Sequence, residues 1–410
     1  MKILTMNTSD IQGGAARAAY RLHRALLDSN IDSQMLVQSK KSEDHTVLGP
    51  ETKVQKAMAK SRSIEQLIVS FYGNKAKNLF SPAWSPFSIT VKKINEIDPD
   101  IVHLHWITGG MIGIEALAKI KAPIVWSLHD MWALTGGCYY DENCGAYKNS
   151  CGNCKILGSN KNNDLSRKIF ERKQKTFSKI NNLTVVGLSS WLEKCAKESS
   201  LFKNRKILNL PNPINTNIFK ITDKYVARKI LNLPNNKKLV LFGTANITSD
   251  PRKGFDKLSE ALKKIKNENI ELVMFGGSES QNMPKLRYKI HWMGYQSDLS
   301  LQSLYCACDL TVVPSLQENL SNTIMESLSC ATPVVGFDIG GNSDMIEHKK
   351  NGYLAKPFNT NDLANGIEWV VNCDSYDELC KNARKKVLEE FDSKVVARKY
   401  INLYKETLRV

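Results

Sequence analysis

Two carboxylates, two cations and one histidine are spaced in this chain so that they could share a ligand. The apolar run Leu310–Val313 reads as a strand and leads into the polar stretch Pro314-Ser-Leu-Gln-Glu-Asn-Leu-Ser-Asn, after which a helical pattern runs from Thr323 to Cys330. Open sheets bind ligands at the carboxyl ends of their strands, and Glu318 falls in such a loop. Glu326 lies one turn into the helix. There Thr323 as N-cap with Glu326 three residues on also spells a capping box, which needs no ligand at all. Eight positions across a loop–helix boundary fix no hydrolase-like separation, so separate duties around one ligand suit the pair better than acid–base partnership.

Pro251-Arg252-Lys253-Gly254 follows the strand Leu239–Gly243 and precedes a helix. A guanidinium that bridges two oxygens, an ammonium and a permissive glycine at a helix start suit a diphosphate; a solvated basic turn is the plainer alternative. Gly13-Gly14 stands between the first strand, Lys2–Met6, and a helix from Ala15 to about Asp28. It allows close approach of the backbone to a ligand or simply makes a tight turn. The third glycine of a nicotinamide-binding fingerprint is missing. His129 ends the strand that begins at Pro123, where it can bond a hydroxyl, act as a base, or form a structural pair with Asp130. His103 and His105 alternate on one face of another strand, as core or pocket wall. Cys138, Cys144, Cys151 and Cys154 crowd a stretch rich in Gly and Asn. Zinc could fasten it, although only Cys151 and Cys154 have ideal ligand spacing; reduced thiols or a redox pair are the alternatives.

The elements that must position these groups alternate between strand and helix, which predicts parallel sheets covered by helices. With 410 residues, two domains are expected. The break falls at Asn209-Leu-Pro-Asn-Pro-Ile-Asn-Thr-Asn, whose prolines and asparagines suit a linker. The predicted fold is α/β, two doubly wound Rossmann-like domains facing a cleft, with residues 1–210 in the first, 211–385 in the second and a helical tail over 386–410 packing back toward the first. At 42% hydrophobic and 24% charged residues, the composition excludes a disordered or coiled-coil chain. No apolar run reaches the ~20 residues of a membrane span. The start reads as a strand and not as a signal peptide, so a cytoplasmic protein with reduced cysteines is expected. Residues 1–210 carry 30 Lys/Arg against 18 Asp/Glu and the remainder 27 against 23, so the first half should attract an anionic surface or substrate. In 41–98, Lys53, Lys56, Lys60, Arg62, Lys75 and Lys77 alternate with Leu67, Ile68 and Phe71, as expected of a segment that meets the inner membrane face. Nucleic-acid motifs are missing.

These motifs together resemble the retaining glycosyltransferases of family 4, whose two Rossmann-like domains make the GT-B fold. Glu318 and Glu326 match the family's Glu-x7-Glu, Arg252 and Lys253 its donor-phosphate cations, Gly340-Gly341-Asn-Ser-Asp-Met-Ile its loop after the next strand, and Asn351-Gly352-Tyr-Leu a later turn. Gly13-Gly14 matches the amino-terminal glycine loop and His129 the acceptor-side histidine. The segment His129-Asp-x-Trp-x-x-Thr-Gly-x-Cys is similar to members that assemble capsule, exopolysaccharide and colanic acid. Two departures stand out: Gly243 is followed by Thr244 where many members have Arg, and Asp344 replaces a Glu. The resemblance implies a nucleoside-diphosphate sugar as donor, bound near Gly243, its diphosphate on Arg252, Lys253 and the N–H groups of Asn319, Leu320 and Ser321. Glu318 would hold sugar hydroxyls and Glu326 the ribose. His129 would serve catalysis beside Glu318, Arg252 and Lys253, with no catalytic metal. A glycan or polyprenyl-diphosphate-linked glycan is the implied acceptor. A sugar-nucleotide 2-epimerase shares the layout, and a non-catalytic nucleotide or nucleic-acid binder would explain the charge but not the Glu motif.

Overall fold

The computed structural model describes residues 1–72, 79–84, 89, 91–243, 250–277 and 286–409. The chain divides into two units, Met1–Pro213 with Val396–Val410, and Ile214–Val395.

In the first unit, strands β1 (Lys2–Ser9), β2 (Asp32–Ser39), β3 (Val47–Leu48), β4 (Ile101–Leu104), β5 (Ile124–Leu128), β6 (Leu183–Gly187) and β7 (Lys206–Asn209) form one sheet in the order β3-β2-β1-β4-β5-β6-β7. Every pairing in it is parallel. β4, β5 and β6 are buried along their whole length, which is why they read as unbroken apolar runs and not as alternating ones. The helix Gly14–Leu27 lays Ala16, Ala19, Leu22 and Leu26 inward. Ile114–Lys119 is a 3₁₀ helix: Ala116 N–H bonds Gly113 O and Ile120 N–H bonds Leu117 O. The final helix, Ser393–Leu408, contributes Val396, Tyr400, Leu403 and Tyr404 to a core shared with Ile3, Leu22, Ile101 and Val125. Only Val396 onward joins this unit, whereas the preceding helix Tyr376–Glu390 belongs wholly to the second.

The second unit holds β8 (Lys238–Gly243), β9 (Ile270–Phe275), β10 (Ile290–Gly294), β11 (Leu310–Val313), β12 (Val334–Phe337) and β13 (Gly352–Ala355), in the order β10-β9-β8-β11-β12-β13 and again parallel throughout. Alternate residues of β8 serve opposite faces. Leu239 and Leu241 pack with Tyr305 and Ile324, while Val240 and Phe242 pack with Leu258 and Ile367.

In each sheet the direction of strand addition reverses once, between β1 and β4 and between β8 and β11. Loops diverge at such points and leave a crevice beyond the carboxyl ends of the strands. The residues singled out for chemistry follow β1, β5, β8 and β11.

Candidate active site

In the second unit three loops are pressed together at the reversal point. Asp250 caps the turn Pro251–Lys253, accepting from the Arg252 N–H at 3.2 Å, and takes the Arg252 guanidinium as a fork, Nε at 2.9 Å and Nη2 at 3.0 Å. Burial works to raise the Asp250 pKa, but the Arg252 hydrogen bonds and charge outweigh it and hold the carboxylate below its ordinary range. Leu316 N–H reaches Arg252 O at 2.7 Å and so ties the β8 loop to the β11 loop. Gly254 sits where these loops touch, at φ +71°; a Cβ there would fall 1.9 Å from Pro314 O. Lys253 Nζ lies 3.0 Å from Glu318 Oε2, which also accepts from Ser315 Oγ at 3.4 Å. The Glu318 charge raises the Lys253 pKa against the opposing effect of burial. The third loop arrives through Gly340, at φ +52°, whose absent Cβ would stand 1.7 Å from Glu318 O. Asn319, Leu320 and Ser321, buried, carry the chain into the helix Asn322–Ser329.

The capping box expected at Thr323 is absent. The helix starts at Asn322 with Ser321 as N-cap, so Glu326 lies deeper than N3. Its Oε2 instead accepts from Tyr305 Oη at 3.0 Å, and Glu326 is 3% exposed. Tyr305, on the helix Asp298–Ala307, is fully buried, with its ring edge-on to Phe275. Gly243 has a packing reason of its own: the Phe275 ring occupies the space a Cβ would take, 2.1 Å away. Thr244 lies outside the described residues. Asp344 is in the first turn of the short helix Asn342–Met345.

In the first unit Gly13 is the N-cap of Gly14–Leu27 at φ +99°, and a Cβ there would meet no atom within 4 Å. The loop therefore needs glycine for its backbone and leaves open space beside it. Asp10 braces it, accepting N–H bonds from Ile11, Lys41 and Ser42. Burial raises the Asp10 pKa, but these donors lower it further and keep it ionised. His129 Nε2 meets His105 Nδ1 at 2.9 Å, and burial drives the His129 pKa down to about 3. Asp130 is not its hydrogen-bond partner in that contact; the carboxylate accepts from Trp106 Nε1 and from the Trp132 N–H, each at 2.8 Å. His103 is core, bonded to Tyr404 Oη at 2.7 Å and Ser127 Oγ at 2.8 Å.

The zinc expectation is corrected. Among the described residues no group of three or more His, Cys, Asp or Glu side chains is arranged to hold a metal ion. Cys138 and Cys151 are buried in the apolar core, the latter accepting from the Gly136 N–H at 3.0 Å, while Cys144 is exposed. Burial pushes the Cys151 thiol up to about 12, so thiolate character at neutral pH is suppressed. Asp10, Asp250 and Tyr305 have no counterpart in the sequence motifs, because their partners are 21 or more positions away or, for Asp250, only the run Asp-Pro-Arg signals them.

Residues 12–216 match the family described as Glycosyltransferase Family 4, and 223–387 match Glycosyl transferases group 1. The chain belongs to glycosyltransferase family 4. This family-4 glycosyltransferase is 28% identical over 179 residues to an uncharacterized glycosyltransferase of Methanocaldococcus jannaschii, covering 42% of the chain and 45% of that relative. It is 25% identical over 162 residues to the N,N'-diacetylbacillosaminyl-diphospho-undecaprenol alpha-1,3-N-acetylgalactosaminyltransferase of Campylobacter jejuni, covering 38% of the chain and 42% of that enzyme. The matches thus span less than half the length of these curated relatives. Among solved structures, Anabaena HepE in complex with UDP-glucose superposes with a TM-score of 0.67 at 18% identity, covering 99% of this chain and 100% of that one. The fold is accordingly GT-B.

Proposed function

We propose that this enzyme moves a sugar from a nucleoside-diphosphate sugar to a saccharide or polyprenyl-diphosphate-linked glycan in surface polysaccharide synthesis, retaining the anomeric configuration and using no divalent metal. The convergence of Arg252, Lys253 and Glu318 at the strand-order reversal carries the reading: an ammonium 3.0 Å from a carboxylate, beside a guanidinium held by its own aspartate. On this account Arg252, Lys253 and the N–H groups of Asn319–Ser321 receive the diphosphate and oppose the charge that builds on it as it leaves, the supply that a magnesium ion would otherwise make. Glu318 exchanges part of its bond to Lys253 for sugar hydroxyls. Glu326, held by Tyr305, takes the ribose. Gly13-Gly14 gives open space for substrate, and His129 is assigned to the acceptor step. HepE, solved with UDP-glucose, and the Campylobacter enzyme, named for an undecaprenol-linked acceptor, favour these substrate classes.

We place the enzyme at the membrane surface on a further observation. The segment from the helix Lys53–Ser61 through the 3₁₀ turn Arg62–Ile64 and the helix Glu65–Ser70 to Phe71 buries Arg62 and Glu65, yet leaves Val54 69%, Leu67 60% and Phe71 88% exposed in a stretch that also carries the exposed Lys53, Lys56 and Lys60. Lys75 and Lys77 lie outside the described residues. Among the described residues no helix is long and apolar enough to cross a membrane.

Incubation with a panel of sugar nucleotides and short glycan or lipid-diphosphate acceptors, read by mass and anomeric NMR, tests the function. One donor should give a product of unchanged anomeric configuration. An inverted product would refute retention, and epimerised donor without transfer would favour the 2-epimerase.

A further inference from the structure

His105 and His129 leave parallel neighbours, β4 and β5, just beyond the paired residues Val102–Leu104 and Ile124–Trp126. Their rings face each other through His105 Nδ1 and His129 Nε2 at 2.9 Å, with centroids 5.2 Å apart. His105 is 3% exposed, tilted 39° against His103 at 4.2 Å between centroids, and its backbone carbonyl takes the Trp126 Nε1–H. Its other ring nitrogen, Nε2, is buried and meets no hydrogen-bond partner among the described residues.

Both rings are neutral at physiological pH, since burial lowers each pKa far below the ordinary histidine value, and His103 and His129 lower that of His105 further. A neutral pair joined through Nδ1 and Nε2 has two arrangements. In one, His129 donates from Nε2 and His105 must carry its own proton on Nε2, a buried N–H with nothing to accept it. In the other, His105 donates from Nδ1, its Nε2 keeps only a bare lone pair, and His129 carries its proton on Nδ1. Orphaned buried N–H groups are rare, whereas an acceptor with an unused lone pair is better tolerated.

The geometry points to His105 as a positioning residue that donates its Nδ1–H to His129 Nε2 and so locks His129 as the Nδ1–H tautomer. The Nε2 lone pair is then engaged and is not available for taking a proton from a hydroxyl. A His129 that contacts substrate does so with that lone pair already taken, and therefore not as the base for an attacking hydroxyl. That last step rests on the reading of His129 as a substrate-contacting residue; the tautomer does not.

Nitrogen-15 imidazole spectra of the full chain labelled at its seven histidines test both parts. The His129 signals are those that vanish in His129→Gln. They should show a protonated Nδ1 and a bare Nε2 in the unaltered enzyme, the tautomer disfavoured in water. In His105→Phe, which keeps a ring in the site, His129 should revert to Nε2–H and kcat should fall about tenfold, the effect of one hydrogen bond, with little change in donor KM. His105→Gln, whose amide can donate, should restore both. An Nε2–H signal for His129 in the unaltered enzyme would overturn the lock, and that spectrum decides even if His105→Phe does not fold. An unchanged kcat in a folded His105→Phe whose tautomer has switched would leave the lock standing and refute the substrate role of His129.

Discussion

Glu318 is held by an ammonium, a serine hydroxyl and the loop below it, in a pair whose side chains are 37% exposed for Lys253 and 14% for Glu318, at the rim of the loop cluster and outside the apolar core. Its worth is therefore expected in turnover. Glu318→Gln should lower kcat by about 10²-fold while the melting temperature stays within a few degrees. Near-unaltered turnover would remove Glu318 from the site. At this scale the sequence displayed the reactive types but not their partners. Arg252, Lys253 and Glu318 were legible from strand–loop–helix patterning. The partner of Glu326 is Tyr305, on another helix 21 positions earlier, and a local capping rule claimed the carboxylate first. For His129 the sequence offered a hydroxyl, a proton or its chain neighbour Asp130, and gave no sign of His105, 24 positions earlier, which meets its Nε2. Side-chain pairing across a sheet edge depends on register, which one strand's pattern does not contain.

At the scale of elements, loops are held together by missing side chains. Gly340 combines φ +52° with backbone contact to Glu318, so Gly340→Ala has both a strained backbone and a collision to relieve. It should cost about 1–3 kcal/mol in chemical denaturation and reduce activity beyond what its stability loss explains, because Glu318 moves with the loop. Full activity at unaltered stability would contradict the packing described. A second expectation concerns acid. His23, bonded to Ser33 and Thr46, and His103, bonded to Tyr404 and Ser127, are buried, and desolvation lowers their pKa values to about 4 and about 3. Unfolded, each takes up a proton near pH 6.5, so the unfolded chain binds more protons below that point and stability falls with pH from about 6.5 toward 3. Between pH 6.5 and 5, before most carboxylates titrate, each histidine should remove about 2 kcal/mol. Urea midpoints followed by tryptophan fluorescence should show the decline, and His23→Gln should make it shallower; a midpoint constant over that interval would rule the mechanism out. The parallel sheets themselves were readable because doubly buried strands are continuous apolar runs. β10 was not, since its residues are only partly buried and its pattern is broken by His291 and Gly294.

For the molecule as a whole, the proposed membrane contact rests on the charge asymmetry and on the exposed side chains between Lys53 and Phe71. The enzyme should float with vesicles containing anionic lipid, detach as ionic strength shortens the screening length, and lose flotation in the triple variant Lys53→Glu, Lys56→Glu, Lys60→Glu. No flotation at low salt would favour a soluble acceptor. Basic composition was plain in the sequence, but its meaning depended on which side chains the fold leaves out. Arg62 and Glu65 turn inward while Leu67 and Phe71 do not, a reversal of ordinary amphipathic order that residue types alone could not give.

The central claim is that the loops after β8, β11 and β12 bind a nucleoside diphosphate sugar through protein cations alone. Calorimetric titration of the enzyme with UDP and UDP-glucose in excess EDTA addresses it directly, with Arg252→Ala and Lys253→Ala in parallel. Binding should persist in EDTA and weaken at least tenfold in each variant, as expected for the loss of a charge-assisted contact to phosphate. Binding abolished by EDTA and restored by magnesium, or unaffected by both substitutions, would contradict the account.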